Sequence, residues 1–245
     1  MNAEQREQLR RLFRVKRIEG EMMLERGFLL NPVYLLEDPD TLSFLPHDLT
    51  FLQDTTLTLD QLLAERERRG ILKGRQNFSS VYISADQTRM VVVFYLLNEK
   101  GREVKKSGFQ IVDQYVSLQE EPGKAKPKHI ILVTETGLRA ENDKRVRERF
   151  PGYFIEVFLD SEFQRNILKD HLAPIKVKHI PGPQVARWGE EEQIQPEKLP
   201  MLLNTDPLAK RFGARPFDGF QEVVLGTTTD TAGFYRICRQ SSVRQ

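Results

Sequence analysis

Two carboxylates and a lysine in the first half of the chain have the residue types of a metal-dependent nuclease. Asp86 follows a strand-like run, and Glu103 and Lys105 form a carboxylate-x-lysine pair further on. In such enzymes an Asp and a Glu hold Mg²⁺ while a lysine polarises the attacking water. However, Asp86 falls in a predicted turn and Glu103 in a Gly/Lys-rich loop, whereas a preorganised site needs its ligands on rigid elements. We therefore expect these residues to lie on the surface, and a Mg-dependent nuclease is the lesser alternative.

A basic stretch around residue 145 could contact a nucleic-acid backbone. A helix is predicted to begin here just after a strand, where free backbone N–H groups can meet a phosphate. Arg139, Lys144 and Arg145 add positive charge, which three acidic residues between positions 141 and 148 partly offset. No aromatic side chain is interleaved to stack on bases, so we expect backbone contact and no reading of base sequence.

The sequence indicates no other chemistry. It contains no GxGxxG or GxxxxGK[ST] phosphate loop and no GxSxG nucleophile elbow. One cysteine, Cys238, allows no intramolecular disulfide and favours a reducing compartment. Together with four scattered histidines it cannot form a standard zinc site. We predict no catalytic residue, no metal and no cofactor.

The composition is that of an ordinary globular protein. The 245 residues are 39% apolar and 29% charged, and 37 Lys+Arg against 35 Asp+Glu leave a formal net charge of +2. So small a mean charge provides little electrostatic steering, and any grip on nucleic acid must come from local clusters. The charged N-terminus does not resemble a secretory signal, and no segment has the roughly 18 consecutive apolar residues of a membrane span. We expect a soluble intracellular protein with no membrane partner.

The apolar pattern predicts an α/β unit with a mixed sheet over residues 1–165. Leu12, Val15, Ile18 and Met22 recur at helical spacing within residues 4–26, and Gly27 is expected as a left-handed cap. Residues 31–77 are expected to be irregular apart from a charged helix. The following pattern predicts strands and helices in the order hairpin (81–83 and 90–97), helix (109–116), strand (129–134), helix (142–150) and strand (153–158).

A smaller α+β unit is predicted over residues 166–245. Its residues 175–200 are rich in Pro, Gly and charge, which favours a loop-rich crossing. A short helix should follow, capped by Asp206, with Pro207 in its first turn and Gly213 as its stop. Two strands then follow at 223–225 and 234–238, and Gly233 is expected to supply a positive φ in the turn between them.

Several sequence blocks resemble the fifth subunit that eukaryotic RNA polymerases share, a family that includes an archaeal counterpart. Residues 199–213 (LPMLLNTDPLAKRFG) resemble the family's Leu-Pro pair followed, after a five-residue spacer, by Asp-Pro-Val-Ala-Arg-Tyr-Phe/Tyr-Gly. Residues 230–235 (DTAGFY) resemble its Glu-Thr-Ala-Gly-Arg-Tyr, and residues 166–174 (NILKDHLAP) resemble its Asn-Ile-Thr-x-His-x-Leu-Val-Pro. Residues 25–28 (ERGF) resemble its Asp-Arg-Gly-Tyr. The likeness extends over nearly the whole chain.

The resemblance implies a non-catalytic subunit of a nuclear DNA-directed RNA polymerase with a role in transcription. The first unit would be a jaw domain beside downstream duplex DNA, its DNA-facing edge including Arg139, Lys144 and Arg145. The second would be an assembly domain that docks on the largest subunit within a multi-subunit complex. The resemblance places nine residues on that assembly surface: Leu199, Pro200, Asp206, Pro207, Phe212, Gly213, Thr231, Gly233 and Tyr235.

Departures from the family pattern favour a divergent or polymerase-specific paralogue. Residues 226–229 (GTTT) stand where the family has Ile-Arg-Pro-Ser, and Phe234 replaces an Arg. Residues 139–142 (RAEN) replace its Thr-Pro-Ser-Ala at the DNA-proximal helix start. We favour polymerase I among polymerases I, II and III, which would place the protein in the nucleolus. The main alternative is a free-standing nucleic-acid-binding module, which would bind DNA alone and in a salt-dependent way.

Overall fold

The computed structural model describes residues 3–48, 50–52, 54, 56–70, 74–97, 104, 109–119, 128–138, 140–170, 173–225 and 231–240. The chain divides into two compact units, Met1–Arg165 and Asn166–Gln245. Each unit combines helices with a mixed sheet, so the fold class of α/β followed by α+β is confirmed. Among the described helices, none is long and apolar enough to cross a membrane.

A six-stranded sheet forms the centre of the first unit. Its strands are β1 (Phe28–Asp38), β2 (Ser43–His47), β3 (Ser80–Ser84), β4 (Met90–Tyr95), β5 (His129–Thr134) and β6 (Phe154–Leu159). They lie in the order β2-β1-β3-β4-β5-β6, antiparallel from β2 to β4 and parallel from β4 to β6. The predicted hairpin and the two later strands are therefore confirmed, and the apolar runs of β4 and β5 match strands covered on both faces.

Helices on both faces bury this sheet. They are α1 (Ala3–Glu25), α2 (Leu59–Arg69), α3 (Gln110–Gln119) and α4 (Ala140–Arg149). One core packs the apolar stripe of α1 and residues of α2 against one face, and a second core includes residues of α3 and α4 on the other. All four residues of the predicted α1 stripe are buried, and Gly27 has a φ of 82°, as expected of a left-handed cap.

The expectation that residues 31–77 would be irregular was wrong. β1 and β2 form an antiparallel pair in which Leu35 lies opposite Leu45. The prolines at 32 and 46 suggested loops, but Pro46 lies on the edge strand β2 and Pro32 lies where the register between β1 and β3 shifts. Both are positions where a residue without an N–H donor is tolerated. The charged helix α2 is present, begins with a capping box between Thr58 and Gln61, and ends at Gly70 in a left-handed conformation.

A four-stranded sheet forms the centre of the second unit. Its strands are β7 (Lys176–Ile180), β8 (Met201–Leu203), β9 (Gly219–Leu225) and β10 (Thr231–Arg239), and its helices are α5 (Gly182–Glu191) and α6 (Pro207–Phe212). The order is β7-β9-β10-β8, with β8 parallel to β10 and the other pairs antiparallel. Residues of α6 pack with Phe220 and Cys238 in one core, while residues of α5 pack with Ile180 and Ile237 in another.

Two expectations for this unit were wrong. Residues 175–200 are not a loop-rich crossing, because β7 and the ten-residue helix α5 lie within them. The Pro-Gly-Pro sequence that suggested a loop stands at the start of α5, where a proline in the first turn costs no hydrogen bond. Gly233 lies within β10, opposite Val223, and is not among the described glycines with positive φ.

Candidate nucleic-acid and subunit interfaces

The predicted DNA-facing edge falls at the start of α4. Lys144 is exposed and lies 3.7 Å from Glu148 one turn later, whereas Arg139 and the side chain of Arg145 lie outside the described residues. Two later cations of this helix contact their own unit: Arg147 donates to the carbonyl of Ile155 at 3.1 Å, and Arg149 lies 2.8 Å from Asp113. Lys144 is thus the predicted DNA-facing residue that the structure describes as exposed.

Asp86, the first residue of the nuclease alternative, forms a turn between β3 and β4. Its carboxylate accepts hydrogen bonds from the hydroxyl of Ser84 and from the amide and hydroxyl of Thr88, the latter two at 3.1 Å and 2.7 Å. These bonds hold the pKa of Asp86 at about 2. Glu103 and Lys105 lie outside the described residues. Within the part of the chain that the structure describes, no three His, Cys, Asp or Glu side chains could together hold a metal ion.

The carboxyl ends of β4, β5 and β6 form the edge where α/β proteins usually bind ligands. Here that edge contains Arg75, whose guanidinium makes two hydrogen bonds of 2.8 Å to Asp160. It also donates to the carbonyls of Leu96 at 2.7 Å and Val133 at 3.2 Å. The side chain of Asp160 is only 1% exposed. Carboxylate and carbonyl groups of the fold therefore accept the hydrogen bonds that the Arg75 guanidinium could otherwise donate to an anionic ligand.

A buried ion pair connects α1 to the sheet. The ammonium of Lys16 lies 2.7 Å from the carboxylate of Glu19 and donates to the hydroxyl of Ser80 at 2.6 Å. The hydroxyl of Tyr95 donates to the same Glu19 oxygen at 2.8 Å. The Lys16 and Glu19 side chains are 1% and 0% exposed. Burial lowers the pKa of Lys16, although Glu19 opposes that shift. This network lies inside the unit and holds a helix in place.

The ERGF block near the end of α1 has a structural role. Arg26 makes a bidentate ion pair with Glu156 on β6, at 2.7 Å and 3.0 Å, and His129 lies 2.5 Å from the same carboxylate. Burial alone would raise the pKa of Glu156, but the contacts of its carboxylate with Arg26 and His129 outweigh burial and hold that pKa at about 2. Gly27 then ends the helix and Phe28 begins β1. The block therefore connects helix, turn and sheet.

In the second unit, nearly half of the predicted assembly residues build α6. Asp206 caps this helix by accepting a hydrogen bond from the amide of Leu208 at 2.8 Å, and Pro207 stands in the first turn. Gly213 ends it with a φ of 63°, so all three predicted roles are confirmed. Phe212 is half-buried, and its ring makes an edge contact with Phe220, with 5.9 Å between the ring centroids. These residues face one side of the sheet.

The remaining predicted residues lie elsewhere on the same unit. Leu199 and Tyr235 pack with Trp188 in the other core, and the Tyr235 hydroxyl donates to Glu192 at 3.0 Å. The carbonyl of Pro200 accepts a hydrogen bond from Ile237 at 3.0 Å. Two more residues, at 231 and 233, are exposed on β10. The structure thus distributes the nine residues over both faces of the sheet, with only Pro200, Pro207, Thr231 and Gly233 exposed.

Sequence reasoning missed a group of exposed apolar side chains in this unit. Met201 and Leu203 on β8 are 71% and 45% exposed, and Phe217 before β9 is 62% exposed. Residues 201–203 are all apolar, and successive side chains of a strand point to opposite faces. The sequence could therefore have shown that Met201 and Leu203 share the face opposite to that of Leu202, which is buried. The position of Phe217 had no such signal, since it depends on a turn that follows α6.

Comparison with known proteins agrees with the resemblance that the sequence blocks indicate. No protein-family model matches the chain. Two relatives that do match are subunits RPABC1 of DNA-directed RNA polymerases I, II, and III, from Caenorhabditis briggsae and Caenorhabditis elegans. Each is 29% identical over 105 residues, which is 43% of this chain and 48% of the relative. The aligned stretch spans about half the length of these relatives, and the similarity is distant.

Proposed function

We propose that this protein is a non-catalytic structural subunit of a nuclear DNA-directed RNA polymerase. The observation that carries the proposal is the agreement between sequence likeness and fold. The chain is similar to RPABC1 subunits, and its family-like blocks fold as connected structural units. Asp206 and Gly213 bound a helix, and Arg26 connects α1 to β6. Sequence blocks whose side chains hold the fold together suit a protein whose task is to hold other chains in position.

Within such a complex we propose separate roles for the two units. The first is a jaw domain whose α4 edge, with Arg139, Lys144 and Arg145, lies beside downstream duplex DNA and contacts its backbone without sequence preference. The second is an assembly domain that docks on the largest subunit. The chain would act in the nucleus, or in the nucleolus if the polymerase is polymerase I, which is our first choice because of the departures from the shared family's pattern.

An enzymatic role has less support from the geometry. The strand edge where α/β folds bind ligands holds the Arg75–Asp160 ion pair, and Asp86 is engaged in its own turn. A catalytic carboxylate must instead reach a substrate or a metal with free oxygen atoms. The proposal therefore assigns no catalytic residue, metal or cofactor to this chain.

Affinity purification of the tagged full-length protein from its native source at moderate salt tests the proposal. We expect the two largest subunits of one RNA polymerase in stoichiometric amounts, because a docking subunit stays with its complex during purification. The identity of those subunits names the polymerase. The same tag on an unrelated nuclear protein is the control. Recovery of the tagged chain alone would contradict the proposal and favour a free-standing role.

The isolated full-length protein is expected to bind duplex DNA weakly. Its formal net charge is +2, so the mean charge provides little attraction to DNA, and the cations at the start of α4 are interspersed with acidic residues, which limits counterion release. A titration of a labelled duplex at about 150 mM salt should give a dissociation constant in the range of non-specific binding, about 10⁻⁴–10⁻⁶ M. Sub-micromolar binding under these conditions would contradict this expectation and support the nucleic-acid-binding alternative.

A further inference from the structure

Among the residues that the structure describes, β8 is an edge strand of the second sheet, with β10 on one side and no strand on the other. On its inner side, the amide of Ile237 donates to the carbonyl of Pro200 at 3.0 Å, and the amide of Asn204 donates to the carbonyl of Arg239 at 2.9 Å. In a parallel ladder alternate residues bond to the neighbouring strand, so the backbone groups of Met201 and Leu203 point away from β10. The carbonyl of Leu203 accepts from the amide of Asp206 at 2.9 Å. The amides of Met201 and Leu203 and the carbonyl of Met201 therefore point out from the edge of the sheet, away from β10.

Apolar side chains accompany these backbone groups. Leu203 is paired with Arg239 in the register, and the amide of Phe217 donates to the neighbouring carbonyl of Cys238 at 2.8 Å. The guanidinium of Arg239 lies 5.1 Å from the centre of the Phe217 ring. Leu203, Arg239 and Phe217 therefore form a row across the end of the sheet, beside Met201. We call this row, together with Met201, the β8 edge surface.

Phe217 provides an independent reason to regard this surface as functional. Its φ of 77° is in the left-handed region, which bulky residues avoid. It also holds a large aromatic side chain 62% exposed to solvent. Strained conformations persist where the surrounding structure enforces them and are concentrated at binding sites. A glycine would relieve the strain, and the described contact that folding gains from phenylalanine here is the one between its ring and the Arg239 guanidinium.

We propose that the β8 edge surface accepts an extended segment of a partner polypeptide, which adds to the sheet as a further strand. The three outward backbone groups bind its main chain, and its apolar side chains at alternate positions pack on Met201 and Leu203. Beyond Leu203 the segment bends across Arg239, at the end of the sheet, and reaches the exposed ring of Phe217. Arg239 is the charged member of the row, so the segment carries an Asp or Glu beside it. This inference rests on the proposed function, in which the second unit docks on another subunit.

A second copy of this chain is a poorer occupant. Pairing two copies of a three-residue edge would bury far less than the roughly 1,200–2,000 Å² of a stable interface, and would bring two Arg239 side chains near each other. A segment of a larger subunit can bind this edge with a smaller buried area if that subunit also contacts the chain at other surfaces. Those other contacts keep the segment at a high effective concentration near β8.

Hydrogen exchange in the purified complex tests the edge pairing. The amides of Met201 and Leu203 are expected to exchange at least about tenfold more slowly in the complex than in the free full-length chain, because a paired amide exchanges only after opening. If the polymerase subunits are recovered but these amides exchange at the free-chain rate, the edge proposal is wrong and the proposed function stands. If no subunit is recovered, both are wrong.

A substitution at Phe217 separates binding from folding. Phe217→Gly is expected to leave the melting temperature of the free chain unchanged or higher, since it relieves the positive φ, while recovery of the polymerase subunits falls about tenfold under competition with the wild-type chain. Ile175→Ser, at another exposed apolar residue of the same unit, is the matched control and should leave recovery unchanged. Undiminished recovery with Phe217→Gly, or an equal loss with Ile175→Ser, would overturn the proposal.

Discussion

Glu19→Ala is expected to destabilise the N-terminal unit by about 3–5 kcal/mol. The substitution leaves the ammonium of Lys16 buried without its counterion, and removes the acceptor of the Tyr95 hydroxyl. An uncompensated buried charge is far more costly than the loss of an exposed ion pair. Urea denaturation followed by far-ultraviolet circular dichroism measures the effect. The fluorescence of Trp188 is not suitable, because that residue lies in the C-terminal unit.

The pair Lys16→Met with Glu19→Leu is the control for this prediction. Replacing both charges by apolar side chains of similar size is expected to cost far less than Glu19→Ala, because no unpaired ion remains buried and only the lost acceptor of the Tyr95 hydroxyl is common to both variants. A double variant as unstable as Glu19→Ala would mean that packing, and not charge, explains the loss. A loss below about 1 kcal/mol in the single variant would contradict the buried ion pair itself.

The same pair gives the stability of the protein a defined dependence on pH. Burial lowers the pKa of Lys16 below its ordinary value of 10.5, so between the folded and unfolded pKa values the unfolded chain binds more protons. Stability contributed by this group therefore rises with pH in that window and is constant below it. In Glu19→Ala the opposing attraction of the carboxylate is gone, so the window widens and the rise becomes larger.

Arg75→Ala is expected to cost about 3–5 kcal/mol as well, by a different route. Asp160, 1% exposed, loses both of its 2.8 Å hydrogen bonds and is left as an unpaired buried carboxylate. The carbonyl of Leu96 loses a donor at the same time, which adds a desolvation penalty of about 1–3 kcal/mol unless water replaces it. The carbonyl of Val133 also loses the guanidinium but still accepts from the amide of Leu96 at 3.0 Å. The free energy of unfolding in urea, again by circular dichroism, measures the sum.

One further variant tests whether geometry or charge is decisive at position 75, and a second is a control at a surface ion pair. Arg75→Lys retains the charge but cannot make the bidentate contact, so we expect an intermediate loss. Arg68→Ala removes an exposed partner of Glu65 on α2 and should cost less than about 1 kcal/mol. Equal losses from Arg75→Ala and Arg68→Ala would show that the Arg75 network contributes no more than a surface ion pair.

Periodicity predicted well those elements whose apolar faces are continuous. The stripe of α1 and the runs that became β4 and β5 depend on local spacing alone, and the structure buries nearly all of their apolar side chains. Spacing could not reveal Lys16 and Glu19, which lie on the buried side of α1. Their partners, Ser80 and Tyr95, come from strands more than sixty residues later in the chain. Long-range polar partners of this kind leave no periodic signal.

Prolines caused two of the three errors in secondary structure, and the third was the turn expected at Gly233, which lies within β10. Pro32 and Pro46 lie in the paired strands β1 and β2, and the Pro-Gly-Pro sequence lies at the start of α5. Pro46 lies on the edge strand β2, Pro32 lies where the register between β1 and β3 shifts, and the Pro-Gly-Pro sequence forms the first turn of α5. Edges, bulges and first helical turns tolerate a residue without an N–H donor, and which of them a proline occupies depends on tertiary position. The start of α5 has a further long-range partner, because the carboxylate of Asp218 accepts a hydrogen bond from the amide of Gly182 at 2.7 Å.

The candidate interfaces were predictable only in part. The roles of Asp206, Pro207 and Gly213 followed from helix-capping rules, which need only neighbouring residues. The distribution of the nine assembly residues over two faces depends on strand order, which the sequence blocks do not contain. For the same reason the β8 edge surface was missed, since Phe217 meets Arg239 only after the sheet has formed.

The position of β10 has a consequence for synthesis of the protein on the ribosome. This strand is the last of its sheet to be translated, yet it lies between β9 and β8. Until residues 231–239 have emerged, β8 has no neighbour, and the apolar side chains on both faces lack Ile237 and Cys238. The N-terminal unit can complete its own sheet earlier, because domains generally fold as they leave the ribosome. The nascent C-terminal unit is therefore the part of the chain that chaperones would have to protect.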